Sequence, residues 1–418
     1  MPLEAPRTQH FINNEFVDSA DGKTFDTINP ATEKVLATVQ SAGAKDVDNA
    51  VAAATKAFAT WRDVSGPARR DMMLKLADLV EANKQQLAEW ESLDNGKPIS
   101  VARDVDVYMT IQHLRYYAGW ADKGMQGKTI PVEDVNVFSM TVHEPIGVVG
   151  AIIPWNFPIL MLAWKWAPLL ACGCTCVLKS SEKTPLTALM MCDLARQAGF
   201  PPGVLNVISG GGEAGALLAR HPGVKKVCFT GSSAVGRKIV QMAGESNLKK
   251  ARAVPAFHPV MSSRRATPAR HPGMPSPMCH LAQTSAQTSA HTAAHTVAHT
   301  VAQVTLELGG KSPLIICDDA DLDAAVEIAH VGLFLNHGQC CCASSRIFVH
   351  ESVHDAFAAK CVERAKKVRV HPPRVAQVMG DLTRVAGGDA PSSRGRCRSA
   401  SRRARIRARR STRSSLTR

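Results

Sequence analysis

The first ten residues, Met1–His10, contain no apolar h-region, so no secretory signal is expected. Glu4 lies there and no basic amphipathic helix follows, which argues against a transit peptide. The charge-free run Pro145–Trp164 is broken by Pro154, Asn156 and Pro158, so no membrane span is expected either. The twelve cysteines lack a regular disulfide spacing, and several lie in apolar stretches such as LLACGCTCVLKSS (169–181). A small disulfide scaffold is thereby excluded. The expectation is a reduced, cytoplasmic protein in which most thiols are core packing.

Acidic residues are missing from two segments. Residues 251–303 hold four arginines and no Asp, Glu or Lys, and residues 394–418 hold eleven arginines and no acid. Together they account for the formal net charge of +14, and the remainder is near neutral. The basic tail also lacks aromatic side chains for base stacking, so it is read as a disordered tail rather than a nucleic-acid site. The stretch AQTSAQTSAHTAAHTVAHTVAQ (282–303) is a four-residue low-complexity repeat that cannot bury enough apolar surface to offset its ordering entropy. It spaces His291, His295 and His299 at i, i+4, but the repeat alone produces that spacing, and no metal site is expected. Both segments are read as foreign to the original domain.

What is present between them is regular. KDVDNAVAAATKAFATW (45–61) and ARRDMMLKLADLVEANKQQLAEW (68–90) have helical periodicity, and VFSMTVHEPIGVVGAIIP (137–154) reads as strand material. Short apolar strands then alternate with helices: 173–181, 203–209 and 224–232 as strands, and 184–199, 212–220 and 233–244 as helices. Residues 304–310 and 312–319 read as further strands. Residues 321–338 read as a helix running directly into the cysteines. This alternation predicts a parallel sheet covered on both faces, with 418 residues allowing two or three domains.

Such a sheet takes a nucleotide at its strand ends. GGGEAG (210–215) satisfies a G-x-G-x-x-G pattern only weakly, since three consecutive glycines match it easily and a Gly-rich turn would do the same. FTGSSAVG (229–236) closes a strand and opens a helix, where backbone N–H groups and the helix dipole can meet a pyrophosphate. HGQCCCASS (337–345) places three thiols in a row behind a glycine and a glutamine.

In their order, IIPWNFP (152–158), LKSSEKTP (178–185), FTGS (229–232), LELGGKSP (306–313) and GQCCCASS (338–345) resemble the NAD(P)-dependent aldehyde dehydrogenase superfamily, closest to the class acting on acetaldehyde and retinal. The resemblance spans about residues 8–250 and 304–370. It implies an α/β fold: a Rossmann-type parallel-sheet cofactor domain plus an α/β catalytic domain, incomplete at the C-terminus. It implies the divisions 8–136 (first part of the cofactor domain), 137–154 (a strand segment leading to an oligomerisation region) and 155–250 (nucleotide-binding core). Residues 251–303 are then an insert, 304–370 a partial catalytic domain, and 371–418 a disordered tail.

By the same resemblance, Cys341 is the nucleophile, and Cys340 and Cys342 line the site or pack. Asn156 supplies an oxyanion donor beside the Cys341 backbone N–H, and Glu307 is the general base. NAD is the implied cofactor. Lys179 and Glu182 would lie at the adenosine ribose, where a carboxylate disfavours a 2′-phosphate. Gly231 and Ser232 would lie at the pyrophosphate. Gly212 (or Gly211) and Val235 would lie on the adenine side, and Ile153 and Trp155 along the cofactor path. The implied partner is a small-molecule aldehyde. Homo-oligomers are usual in the family, but the C-terminal strand they use has no counterpart here. Nor is there a Glu-x-Phe-Gly-Pro motif, whose Glu binds the nicotinamide ribose. An inactive fragment that at most binds nucleotide or a homologous subunit is therefore the rival expectation.

Overall fold

The computed structural model describes residues 6–247 except 125, 134 and 135, the backbone of 250–253 and 303, and residues 304–368. The low-complexity repeat with its three histidines and the basic tail lie outside the described residues. From the N-terminus come β1 (His10–Ile12), β2 (Glu15–Val17), β3 (Thr24–Ile28), β4 (Val35–Gln40), α1 (Ala44–Trp61), α2 (Gly66–Ala82), α3 (Lys84–Asn95) and α4 (Ile99–Val101). A π-helical turn, Ala102–Val107, leads into α5 (Tyr108–Ala118), followed by the two-stranded pair β5 (Thr129–Ile130) and β6 (Ser139–Met140). The alternating part is β7 (Val148–Ile152), α6 (Pro158–Ala171), β8 (Thr175–Ser180), α7 (Leu186–Ala198), β9 (Leu205–Ser209), α8 (Gly212–Arg220), β10 (Lys226–Gly231), α9 (Ser233–Gly244), β11 (Lys250–Ala253) and β12 (Gln303–Leu308). β13 (Pro313–Ile316), α10 (Leu322–Phe334), β14 (Arg346–Val349) and α11 (His354–Lys366) complete it.

The main sheet has eight strands in the order β11-β12-β10-β7-β8-β9-β1-β2. The six strands from β11 to β9 pair in parallel, while β1 joins β9 and β2 antiparallel. β7, β8 and β9 are buried at every position, which is why they read as nearly continuous apolar runs rather than alternating ones. Successive residues still go to opposite faces. Val148, Ile152, Val177, Val227 and Phe229 pack with Val47 and Val51 of α1, Leu218 of α8 and Ile239 of α9. Val149, Ala151, Cys176, Leu178 and Val207 pack on the other side with α2, α6 and α7.

The chain therefore begins the parallel sheet at β7 and steps outward through β8 and β9. It then crosses back to lay β10 on the other flank of β7. β7 and β10 enclose the point where strand order reverses, the place where open α/β sheets take ligands at their carboxyl ends. A smaller element, the parallel pair β13–β14, packs with α10 and α11 around Ile316, Ala325, Val326, Ala329 and Phe357.

Three sequence expectations need correction. The periodic stretch 68–90 is two helices, because Asn83 leaves helical geometry (φ −107°, ψ 15°) and its Nδ2 donates to the Leu79 carbonyl at 2.8 Å. The helix over 321–338 stops at Phe334: Asn336 and His337 adopt left-handed backbone (φ 52° and 60°), followed by Gly338 at φ 74°. Periodicity cannot register such a reversal. Residues 251–253, read as the start of the insert, continue the sheet as β11. Among the described residues no helix is long and apolar enough to cross a membrane.

Candidate active site

Every strand from β12 to β9 points its carboxyl end to the same edge of the sheet, and the sequence places its unusual residues there. β7 ends at Ile152, and the loop Ile153–Phe157 must stop before Pro158, which opens α6 as a first-turn proline. That short loop puts Trp155 and Asn156 above the strand ends. β10 ends at Gly231, and the Ser232 hydroxyl caps α9 by accepting from Val235 N at 3.3 Å. In β12, Val304 and Leu306 face the core, so Glu307 faces the other side, in register with Thr230 of β10.

A cleft of about 830 Å³ opens at this edge. Asn156, Glu307 and Cys341 all line it, with Trp155, Gly231 and Ser232. The three catalytic candidates, spread over nearly 200 residues of sequence, are thus brought into one cleft. The remaining cofactor candidates lie outside its lining. Lys179 stands at the end of β8, where its buried Nζ donates to the Gly210 carbonyl at 2.8 Å. Burial lowers its pKa, and Glu182, 3.8 Å away and half exposed, opposes that shift. Gly212 begins α8, and a Cβ at Gly211 or Gly212 would meet nothing within 4 Å, which leaves open space beside that helix end. Val235 is exposed on the first turn of α9. Ile153 differs from the others: its side chain is in the core, so only its backbone could meet a ligand.

Glu307 is held firmly. Its Oε2 accepts from Lys165 Nζ at 2.9 Å and from the Thr230 hydroxyl at 2.5 Å. Lys165 is the single charge on α6, an otherwise apolar helix buried nearly all round. Asn156 is held from three directions. Its carbonyl accepts from Lys97 Nζ at 3.0 Å and Asn336 Nδ2 at 2.8 Å, while its own Nδ2 donates to the Gln339 carbonyl at 2.7 Å. Lys97 is fully buried, ion-paired with Asp106, 3.9 Å from Glu91 and 4.5 Å from the centre of the Phe157 ring. Burial raises both carboxyls despite the lysine, taking Glu91 to about 7.

Sequence reading did not find Lys97, Lys165, Thr230 or Asn336. A lone lysine inside the apolar run of α6 was the one legible signal, because such a charge needs a partner. The thiols sit on a turn closed by Ala343 N donating to the Cys340 carbonyl at 3.1 Å. Cys341 is exposed and its neighbours are half buried. A hydrogen bond with Cys340, then burial and nearby charge including Glu307, push the Cys341 thiol above its usual range; the Cys342 contact works against this.

The groups fit a dinucleotide. The α9 N-terminus and Ser232 present donors for phosphate, and Glu182 presents an acceptor for ribose hydroxyls. Gly231 and Gly236 keep that helix close: a Cβ would fall 2.5 Å from the Phe229 ring and 2.7 Å from Leu308 respectively.

Known proteins resemble this chain in sequence and fold. A profile described as the aldehyde dehydrogenase family matches residues 16–253 and 280–386. An aldehyde dehydrogenase from Enchytraeus buchholzi is 47% identical over 375 residues, covering 89% of this chain and 64% of that protein. Human retinaldehyde dehydrogenase 3 is 45% identical, covering 89% and 62%. The NAD+ complex of an aldehyde dehydrogenase from Bacillus cereus superposes with a TM-score of 0.72 at 41% identity, covering 88% of this chain and 63% of that one. The chain thus spans a little under two thirds of the length of these relatives. A parallel sheet with a thiol, a carboxylate and an amide at its switch point, matched by this profile over most of its length, places the chain in the aldehyde dehydrogenase family.

Proposed function

We propose that this chain oxidises an aldehyde to a carboxylic acid with NAD and water. The observation that carries the reading is that Cys341, Glu307 and Asn156 line one cleft at the sheet's switch point. The Cys341 thiolate adds to the aldehyde carbon, and the carbonyl oxygen becomes an oxyanion. The Asn156 side-chain amide and the Cys341 backbone N–H are the donors for that oxygen, and Asn156 exchanges its bond to the Gln339 carbonyl for it. A nicotinamide dinucleotide bound beside Gly231 and Ser232 supplies the hydride acceptor. Glu307 then takes a proton from the water that opens the Cys341 thioester, releasing the acid and the thiol. Lys165 and Thr230 both engage Oε2 of Glu307, which leaves Oε1 to meet that water.

In this reading Glu182, 3.8 Å from Lys179, meets the ribose with a carboxylate, which favours NAD over its 2′-phosphorylated form. The cytoplasm suits the reaction, since it keeps Cys341 as a free thiol. In this reading residues up to 250 serve the cofactor and lend Asn156, Lys165 and Thr230 to the chemistry, while 304–370 supply Glu307 and Cys341. The test is NADH formation from acetaldehyde by the purified chain, with Cys341→Ser and Glu307→Gln alongside. Serine at 341 should abolish turnover, and glutamine at 307 should let an acyl-enzyme accumulate, visible by intact mass. Near-normal turnover with serine, or no NADH from a folded chain that binds NAD, overturns the proposal.

A further inference from the structure

The three adjacent thiols do more than surround a nucleophile. In extended chain, Cys341 would point away from Cys340 and Cys342. Here the turn over 340–343, entered through left-handed Gly338, curls all three side chains to one side. Their sulfur atoms lie within 4.8 Å of one another, with Cys340 and Cys342 only 3.0 Å apart. All three line the cleft. Among the described residues no other three His, Cys, Asp or Glu side chains come together this closely.

We propose that Cys340, Cys341 and Cys342 form a three-sulfur site for a thiophilic divalent cation of the zinc or cadmium class. A metal about 2.3 Å from each sulfur in tetrahedral geometry wants sulfurs roughly 3.8 Å apart. The observed spacing brackets that value, so side-chain rotation suffices. The cleft leaves the fourth position open to water. An all-sulfur set selects soft and borderline ions and excludes magnesium and calcium, which require oxygen donors. Binding is ligand exchange: each thiol gives its proton to solvent and its sulfur bonds the metal, so three protons leave per ion and nothing is oxidised. A bound ion also relieves the crowding of three thiols in one turn.

If Cys341 is the nucleophile, as proposed above, the ion blocks it, and the flanking cysteines become a device for metal inhibition. Binding itself does not depend on that reading. The experiment therefore measures the metal directly. Reduced full-length chain is titrated with cadmium chloride, and X-ray absorption counts the sulfurs around the ion. Three sulfurs at one cadmium per chain are expected, falling to two in Cys340→Ser and in Cys342→Ser. Each substitution should weaken binding more than about tenfold. Cadmium should also shield all three thiols of the wild-type chain from iodoacetamide, read by peptide mass, which needs no variant. Two or fewer sulfurs in the wild type, affinities within about twofold of it in both variants, or unshielded alkylation at any of the three overturns the site. Aldehyde turnover that proceeds with cadmium bound leaves the metal site standing and instead removes Cys341 from the mechanism.

Discussion

Replacing Lys97 by methionine removes the cation that pairs with Asp106 and stands 3.9 Å from Glu91, all with fully buried side chains. Breaking a buried pair by deleting one partner costs about 3–5 kcal/mol, because an uncompensated charge remains. Here the loss also frees the Asn156 carbonyl of one of its two donors. The penalty should depend on pH in a defined direction. Burial holds both carboxyls above their usual range, and it takes Glu91 to about 7, inside the range the experiment spans. Glu91, held at about 7, is largely neutral at pH 5 and ionised at pH 8, so the methionine variant should lose less at pH 5 than at pH 8. Equilibrium urea unfolding at both pH values measures this. Adding Asp106→Asn should recover about 1–3 kcal/mol at pH 8, as expected for groups that interact directly. A loss below about 1 kcal/mol at pH 8, or an equal loss at pH 5, would refute the reasoning.

Further expectations concern single groups. Cys340→Ala removes the first cause of the raised Cys341 thiol, so the pH midpoint of Cys341 alkylation should move down; an unchanged midpoint counts against that hydrogen bond. Asp94 is fully buried and raised to about 7, with Leu186 N at 2.9 Å and the Thr27 hydroxyl at 2.8 Å. Its folded pKa exceeds its unfolded one, so its contribution is intact below about pH 4 and is lost as pH rises to 7, up to about 4 kcal/mol. Asp94→Asn should flatten stability against pH over that window, and a slope equal to wild type contradicts the assignment. Glu182→Gln should narrow the preference for NAD over its 2′-phosphorylated form, read as the ratio of kcat/KM values; no change moves the ribose contact elsewhere.

Sequence pattern revealed the strands best where they are most buried. VVGAI, TCVLKS and LNVIS are buried along their whole length, and their alternation with helices predicts the parallel sheet. Asn156, Glu307 and Cys341 were pointed to by resemblance to a known family rather than by local pattern, and all three line one cleft. The sequence did not reveal what holds them. Lys97 lies 59 residues from Asn156 and Lys165 lies 142 from Glu307, and no local period encodes such contacts. The break at Asn83 and the reversal after Phe334 were missed for a related reason. Both depend on single residues leaving helical geometry inside stretches whose apolar spacing continues.

The succession Asn336, His337, Gly338, all with positive φ, has a consequence for how these positions vary. Asn, Asp, His and Gly enter that backbone region most readily, while branched side chains are excluded. A randomised library over the three codons, selected for folding alone with no substrate present, should return that short alphabet. The information stored there would then be conformational, and apparent catalytic constraint just ahead of the thiols would be a record of chain direction.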